Sequence, residues 1–333
     1  MRTIPFTATD RSAERIKNVF DGLLSTDNSL PLAEAGLASL RILVGGVVFS
    51  VHGWHKVNDG WGHLANGADS LALPMHAGES VSLGDEERKA LLEFAIKRVK
   101  GRVPVIAHVS QSGTGMAVAL AQHAEKAGAA AIVSAAPYYW TPPPAMLLEH
   151  FTQIGKAVRL PYFVFNSPEE MGGVKVTSDL ALKLIERLDN FAGVVDSSLD
   201  WQFMIEVISV ARRARPAFQL LSGMEYMISA GAIGCTGVFA PLAGIAPKVV
   251  RQLYDICSKE KYADGRKSQE AIAALRQAVK HDGVAGLKAA MRAAGRDCGE
   301  PRPPLRALGE VERGALAEKL GRLPFLRAEP KGW

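Results

Sequence analysis

Residues 193–198 read Gly193-Val194-Val195-Asp196-Ser197-Ser198, an apolar run that ends in an acid and two hydroxyl residues. The apolar part, Ala192–Val195, predicts a buried strand, and the polar end predicts the start of a loop. A helical pattern, Trp201–Arg213, follows. This strand-then-helix unit decides the fold, because the same unit recurs along most of the chain.

Seven strand candidates occur in total, and a helical pattern follows each of them. They are Ser70–Met75, Val103–His108, Ala131–Ala135, Tyr162–Phe165, Ala192–Val195, Gln219–Ser222 and Cys235–Phe239. Such alternation favours a parallel sheet with crossover helices. Eight units of this kind make a TIM barrel, so we predict an α/β fold, a (β/α)8 barrel whose first strand lies nearer the N-terminus.

The two ends of the chain depart from this alternation. Helical patterns near the C-terminus, at Lys261–Lys280, Val284–Ala294 and Val311–Leu320, predict a helical extension over residues 261–333. We assign residues 67–260 to the barrel. Residues 1–66 form an atypical N-terminal segment, which we interpret either as the first barrel unit or as a fused or rearranged segment.

The best strand candidate in that segment, Leu40–Val51, has an alternative interpretation. Residues 37–56 resemble the first membrane segment of DoxX-type proteins, a resemblance carried by Arg41, Gly45, His52, Gly53 and Lys56. The apolar part is shorter than the roughly 20 residues that a membrane span needs, and Arg41 interrupts it. The pattern therefore favours a barrel strand or a packed helix, and we predict no membrane partner.

Composition excludes several classes of function. The 333 residues carry a net charge of +5 and are 48% hydrophobic, which supports a sizeable core. The basic residues are scattered and not interleaved with aromatics, so we predict no nucleic-acid partner. Three distant cysteines, Cys235, Cys257 and Cys298, and an N-terminus without an apolar leader pattern indicate a reducing, cytoplasmic location. Glycine-rich stretches lack a phosphate-loop context, and we predict no cofactor and no metal.

Several short segments, in their order and spacing, carry a family resemblance. They are Gly78-Glu79-Ser80, Pro137-Tyr138-Tyr139, Phe165-Asn166-Ser167-Pro168, Gly193–Ser198, Gly231-Ala232-Ile233-Gly234 and Leu287-Lys288-Ala289. Over about residues 66–320 the chain resembles the dihydrodipicolinate synthase / N-acetylneuraminate lyase family. The resemblance implies a class I aldolase-type TIM barrel that acts on a small 2-oxo acid or aldehyde at the barrel mouth, where TIM-barrel chemistry lies.

The same comparison shows which parts of the family's chemistry this sequence lacks. In the family, the stretch at 193–198 carries a lysine that forms a Schiff base with a 2-oxo acid, usually pyruvate. Val195 occupies that position here and cannot form an imine. Phe165 replaces the proton-relay tyrosine, and Glu170 replaces an arginine that binds a substrate carboxylate. Lys175, in the loop after the fifth strand, is a candidate substitute amine, although a solvated loop lysine is the favoured interpretation.

Other site positions follow from the resemblance. His76 and Ala77 stand where the family has paired threonines, and Tyr139 matches a tyrosine that the synthases donate across a dimer interface. The resemblance thus implies a homo-oligomer, a dimer or a tetramer. It also implies a set of substrate-binding positions: Ala77, Gly78, Phe165, Asn166, Val195 and Gly237.

Two histidines at predicted strand ends, His76 and His108, suggest a different chemistry. A histidine with a carboxylate can act as acid and base near neutral pH, and two histidines with a carboxylate can hold a divalent metal. We therefore take His76, His108, Tyr139 and Glu170 as the candidate catalytic residues. For His108, a hydrogen-bonded structural role is the competing interpretation.

We thus predict a dihydrodipicolinate synthase-like lyase in which true synthase activity is absent or very low. If the chain is an enzyme, we expect a carbon–carbon or carbon–oxygen lyase. One alternative is a repurposed, non-imine hydratase or aldolase that uses His76, His108 and a carboxylate. The other is a non-catalytic, ligand-binding barrel with a closed apolar mouth around Val195 and Phe165.

Overall fold

Eight parallel strands close into a barrel in the computed structural model, which describes residues 47–50 and 68–332. The strands are β1 Val47–Ser50, β2 Ser70–Leu73, β3 Val105–His108, β4 Ala131–Ala135, β5 Tyr162–Asn166, β6 Phe191–Asp196, β7 Gln219–Ser222 and β8 Gly237–Phe239. The predicted (β/α)8 barrel is confirmed.

A helix follows every strand from β3 onward, and α1 follows β2 after two short 3-10 turns. The helices of the barrel are α1 Asp85–Val99, α2 Thr114–Ala127, α3 Pro144–Lys156, α4 Ser178–Arg187, α5 Trp201–Ala214, α6 Met227–Ala232 and α7 Pro247–Cys257. Their ends carry local stop and start signals. For example, α2 ends at Gly128, whose φ of 88° only glycine adopts easily.

Closure of the barrel depends on β1, which pairs with β2 on one side and β8 on the other. Val48 lies opposite Ser70 and Phe239 in these two ladders. The strand falls inside the apolar run 40–51, and residues 1–46 and 51–67 lie outside the described residues. Within the described part of the chain, no helix is long and apolar enough to cross a membrane. The proposed boundaries at residues 66 and 260 stay predictions.

Two separate apolar layers stabilise the barrel. Side chains that point inward, among them Ile106, Val133, Phe163 and Val195, form one cluster inside the strand ring. Side chains that point outward pack against the surrounding helices in a second, larger cluster. Every residue of β2 to β8 is buried, as expected for parallel strands that are covered on both faces.

Three further helices follow the barrel: α8 Arg266–Lys280, α9 Gly283–Ala293 and α10 Glu310–Gly321. The predicted C-terminal helical extension is therefore confirmed, although α8 begins five residues later than Lys261. Residues 261–265 instead form a turn, in which Asp264 N–H donates to the Lys261 carbonyl.

A buried ion pair joins the C-terminal helices to the barrel mouth. Lys288 of α9 lies 2.6 Å from a carboxylate oxygen of Glu79, and both side chains are almost fully buried. The other Glu79 oxygen accepts the Arg302 backbone N–H. Glu79 thus joins the loop after β2 to the C-terminal helices and has a structural role. This placement brings α8 and α9 over one side of the mouth.

Candidate active site

A cavity of about 320 Å³ opens at the carboxyl ends of the strands, where TIM-barrel sites lie. Its base is apolar, because Met75, Phe165 and Phe239 belong both to its lining and to the cluster inside the barrel. Polar groups from the loops after β6, Ser197 and Ser198, line it as well. A cavity with an apolar base and a few polar groups is suited to a small organic molecule.

Val195 lies in β6 at the base of this region and is completely buried. It pairs with Phe165 on one side and Leu221 on the other, and its side chain packs in the apolar cluster inside the barrel. The cavity lining includes Phe165 but not Val195. The position thus offers a ligand neither an amine nor a polar contact.

His76 and Glu170 meet across the mouth. His76 lies in a 3-10 turn after β2, and Glu170 lies in the loop after β5, three strands further around the barrel. Nε2 of His76 is 3.5 Å from a carboxylate oxygen of Glu170, and the two side chains are 56% and 31% exposed. Ser167 donates its hydroxyl to the second Glu170 oxygen. The pair faces the cavity and is open to water, so it can exchange protons with a ligand.

The substrate-binding positions predicted beside them divide into two groups. Ala77 lines the cavity together with His76 and Phe165. Gly78 ends the same 3-10 turn and is buried. Gly237, the first residue of β8, lies elsewhere, because it lines a cavity on the outer side of the barrel together with Arg212 and Cys235.

His108 is placed away from the cavity lining and has structural partners. The side chain is buried, and Nε2 is 2.7 Å from the Ser110 hydroxyl. Arg88 of α1 donates to the backbone carbonyls of both His108 and Ser110. Burial, reinforced by the nearby Arg88 guanidinium, lowers the pKa of His108 to about 3. The imidazole therefore stays neutral near pH 7 and does not join His76 and Glu170.

Asn166 and Asp196 form a buried hydrogen-bonded network at the carboxyl ends of β5 and β6. The Asn166 amide donates to Asp196 over 2.6 Å, and its carbonyl accepts the Val176 N–H. Ser198 donates both its hydroxyl and its backbone N–H to Asp196. Burial raises the pKa of Asp196 to about 6, against the lowering effect of these hydrogen bonds. Asn166 thus shapes the loops that carry the cavity wall.

Tyr139 lies on the outside of the molecule, in the loop before α3. It is 89% exposed, has a φ of 74°, and packs edge-to-face against the half-exposed Trp140. Its neighbour Tyr138 points inward and donates to Gln111. A non-glycine residue at positive φ is strained, so this loop holds the Tyr139 ring away from its own core.

Two cations at the site were not predicted from the sequence. Arg276 and Lys280 of α8 line the cavity, one helical turn apart. Arg276 forms an ion pair with the buried Glu225, which follows β7. The i and i+4 spacing on one helix was the available signal, but nothing local indicated that this face covers the mouth. Lys175, by contrast, is exposed and is not part of the cavity lining.

The described residues of the mouth show no arrangement for a metal. Within residues 68–332, no group of three or more histidine, cysteine or acidic side chains is placed to hold an ion. His76 with Glu170 is a candidate for proton transfer because the imidazole and the carboxylate are 3.5 Å apart at the cavity, and the charged groups of α8 are candidates for ligand binding.

The chain is similar in sequence to one family of known proteins. A model of the dihydrodipicolinate synthetase family matches residues 62–322. A 4-hydroxy-tetrahydrodipicolinate synthase of Rhodopseudomonas palustris is 35% identical over 249 residues, which is 73% of this chain and 81% of that protein. An uncharacterized DapA-like lyase of Halobacterium salinarum is 32% identical over 251 residues, with 75% and 81% covered.

Solved structures agree with these sequence relatives. A prophage protein of the dihydrodipicolinic acid synthase family from E. coli K12, solved in complex with pyruvate, superposes with a TM-score of 0.79. The two chains are 26% identical, and the match covers 84% of this chain and 98% of that one. The dihydrodipicolinate synthase of Aquifex aeolicus, at 25% identity, gives a TM-score of 0.78 and covers 84% and 98%. The chain therefore belongs to the dihydrodipicolinate synthetase family.

Proposed function

We propose that the mouth cavity binds a small 2-oxo acid or aldehyde and that the chain acts on it without an imine intermediate. One observation carries the proposal: a cavity opens at the carboxyl ends of the strands, yet the buried Val195 beneath it has no amine while His76 and Glu170 face it. The relative from E. coli that was solved with pyruvate supports a small carbonyl ligand.

Proton transfer by His76 and Glu170 is the chemistry that we propose for this cavity. An imidazole near neutral pH can take a proton from a hydroxyl or an activated carbon and return it to a product. Such a step supports retro-aldol cleavage, hydration or dehydration of a carbonyl compound, which makes the chain a carbon–carbon or carbon–oxygen lyase. Because His108 is buried against Arg88, it is not part of this proposed pair.

True synthase activity should be absent or very low for three physical reasons. Val195 cannot form a Schiff base. Phe165 is buried at the cavity base and lacks the hydroxyl needed to relay a proton. Glu170 would repel the carboxylate of an anionic substrate at the place where the synthases bind it.

Borohydride trapping tests the absence of an imine. The purified protein is incubated with pyruvate, reduced, and searched for lysine adducts by peptide mass spectrometry, beside a relative that carries the lysine. We expect an adduct in the relative and none in this protein. An adduct on Lys280 or Lys175 would show that the imine chemistry has moved to another lysine.

The proton-transfer role is tested by lyase assays on small 2-oxo acids and aldehydes with His76→Ala. The matched control is His123→Ala, because His123 pairs with Glu93 on the surface of the barrel, away from the mouth. We expect the first variant to lose about 100-fold or more of the turnover and the second to lose none. Ligand binding without turnover in the wild type would instead support the ligand-binding barrel, which the apolar cavity base favours.

We also propose that the chain self-associates and that it is located in the cytoplasm. The exposed rings of Tyr139 and Trp140 favour a contact with a second copy of the chain, in a dimer or a tetramer. All three cysteines are free thiols in the described residues, which is consistent with a reducing, cytoplasmic location.

A further inference from the structure

We propose that Arg276, together with Lys280, forms an anion subsite on the α8 wall of the mouth cavity and binds the carboxylate of the ligand there. The proposal deepens the proposed function and rests on it for the identity of the cavity as the ligand site. In this proposal, the two cations of α8 supply the positive charge that the chain lacks at Glu170, where the synthases have an arginine.

Arg276 is held in position from behind. Its Nη2 donates to Glu225, a carboxylate with no exposed surface, and its guanidinium lies over the Tyr226 ring at 5.7 Å from the centroid. Glu225 is fixed in turn, because its other oxygen accepts the Leu242 N–H over 2.7 Å. A buried acid and an aromatic face thus orient the guanidinium, so little conformational entropy is lost when it binds an anion.

Donor groups of Arg276 remain for a ligand. Its side chain is 18% exposed and lines the cavity, whereas Glu225 behind it is inaccessible. In the part of the chain that the structure describes, no hydrogen bond engages Nε or Nη1 of Arg276. Lys280, one turn further along α8, adds a second cation to the same wall. Both groups can donate charge-assisted hydrogen bonds, which are the strong ones.

The charges around the cavity select the class of ligand. Glu225 balances Arg276, which leaves Lys280 as the excess cation of the α8 wall. Glu169 and Glu170 line the cavity from the loop after β5, which belongs to a different part of the strand ring. These carboxylates would repel the second charge of a dianion. A monocarboxylate can instead contact α8 with its charged end and keep its uncharged polar end toward His76. The structure therefore points to a small monocarboxylate with a hydrogen-bond donor or a carbonyl group at its other end.

Ligand titrations followed by NMR test the subsite with three probes. Pyruvate carries both a carboxylate and a carbonyl, pyruvamide keeps the carbonyl without the charge, and propionate keeps the charge without the carbonyl. The main variant is Glu225→Gln with Arg276→Gln, which removes both charges of the pair and keeps an acceptor for Leu242 N–H. Because that double exchange lies in a buried region, Lys280→Gln serves as an exposed second variant, and Lys267→Gln on the outer part of α8 is the charge-matched control.

We expect pyruvate to bind the wild type about tenfold or more tightly than pyruvamide. The double variant should abolish this preference, Lys280→Gln should weaken pyruvate severalfold, and Lys267→Gln should change nothing. Equal affinities for pyruvate and pyruvamide, or an undiminished pyruvate affinity in both cavity variants, would overturn the subsite.

The propionate arm separates this inference from the proposed function. If propionate binds as well as pyruvate and both acids lose affinity in the variants, the anion subsite stands and the carbonyl specificity of the proposed function fails. If no carboxylate binds at any concentration tested while pyruvamide does, the cavity takes carbonyl compounds and the subsite is refuted. If none of the three probes binds, both proposals fail.

Discussion

The ion pair between Lys288 and Glu79 offers a sharp test of how the C-terminal helices are joined to the barrel mouth. Lys288→Met removes the cation that lies 2.6 Å from Glu79 and leaves a carboxylate buried beside α9. Loss of one partner of a buried pair typically costs about 3–5 kcal/mol, because the remaining charge has neither water nor a counterion. The variant also loses the 2.9 Å hydrogen bond from Lys288 to the Glu300 carbonyl, which contributes about 1 kcal/mol more.

Urea unfolding at equilibrium, followed by far-ultraviolet circular dichroism, measures this loss. A second variant, Glu79→Gln with Lys288→Met, should recover most of the free energy of unfolding, since the neutral amide can still accept the Arg302 N–H. Lys267→Met on the exposed part of α8 should stay within about 0.5 kcal/mol of the wild type. The reasoning is refuted if the single variant loses less than about 1 kcal/mol, or if the double variant is as unstable as the single one.

Three further outcomes are expected. First, the folded-state pKa of Asp196, about 6, lies above its ordinary value of 3.8, so the stability that it contributes is present below pH 3.8 and is lost as the pH rises through 6. The loss of free energy of unfolding should be about 3 kcal/mol. Urea midpoints measured against pH should not show this loss in Asp196→Asn, and a variant with the pH profile of the wild type would contradict the prediction. Second, Val195→Lys should create an imine with pyruvate that borohydride traps at position 195, because the apolar surroundings keep part of the amine neutral; a folded variant without an adduct would show that more than the lysine is missing. Third, exchange of Tyr139 and Trp140 for Ser should lower the molar mass measured by light scattering toward that of a monomer, and an unchanged mass would place any self-association on another surface.

The proposed chemistry places the positive charge of the mouth on a different element from the one that the synthases use. Glu170, in the loop after β5, is a carboxylate where the synthases have an arginine. In the proposed subsite, Arg276 and Lys280 of α8 supply the positive charge instead. A ligand held this way would reach the proton-transfer pair His76 and Glu170 with its carbonyl end. Under the proposed function, electrostatic positioning of the ligand would take the place of covalent activation by a lysine.

Most of the barrel is determined by local sequence patterns. The alternation of β-branched runs with helical periodicity is enough to predict parallel strands, and the ends of β4 and β7 agree with prediction to the residue. The absence of an amine at Val195 is likewise a property of the sequence, because its position on β6 follows from the strand pattern. Alternation alone does not give its direction, because the register of β6 shifts between Phe191 and Gly193, and both Ala192 and Val195 lie in the cluster inside the barrel.

The composition of the site depended on tertiary structure. His76 and His108 both follow the pattern of strand-end histidines, but burial against Arg88 neutralises His108, while His76 meets Glu170 across three strands. Arg276 and Lys280 lie about 80 residues or more after the Val195 stretch, on a helix whose own pattern shows only an amphipathic face. Their place at the mouth results from long-range contacts, such as the ion pair of Glu79 with Lys288. Local propensity places residues on strands and helices, whereas only packing between distant segments decides which charged side chains meet and which are removed from water.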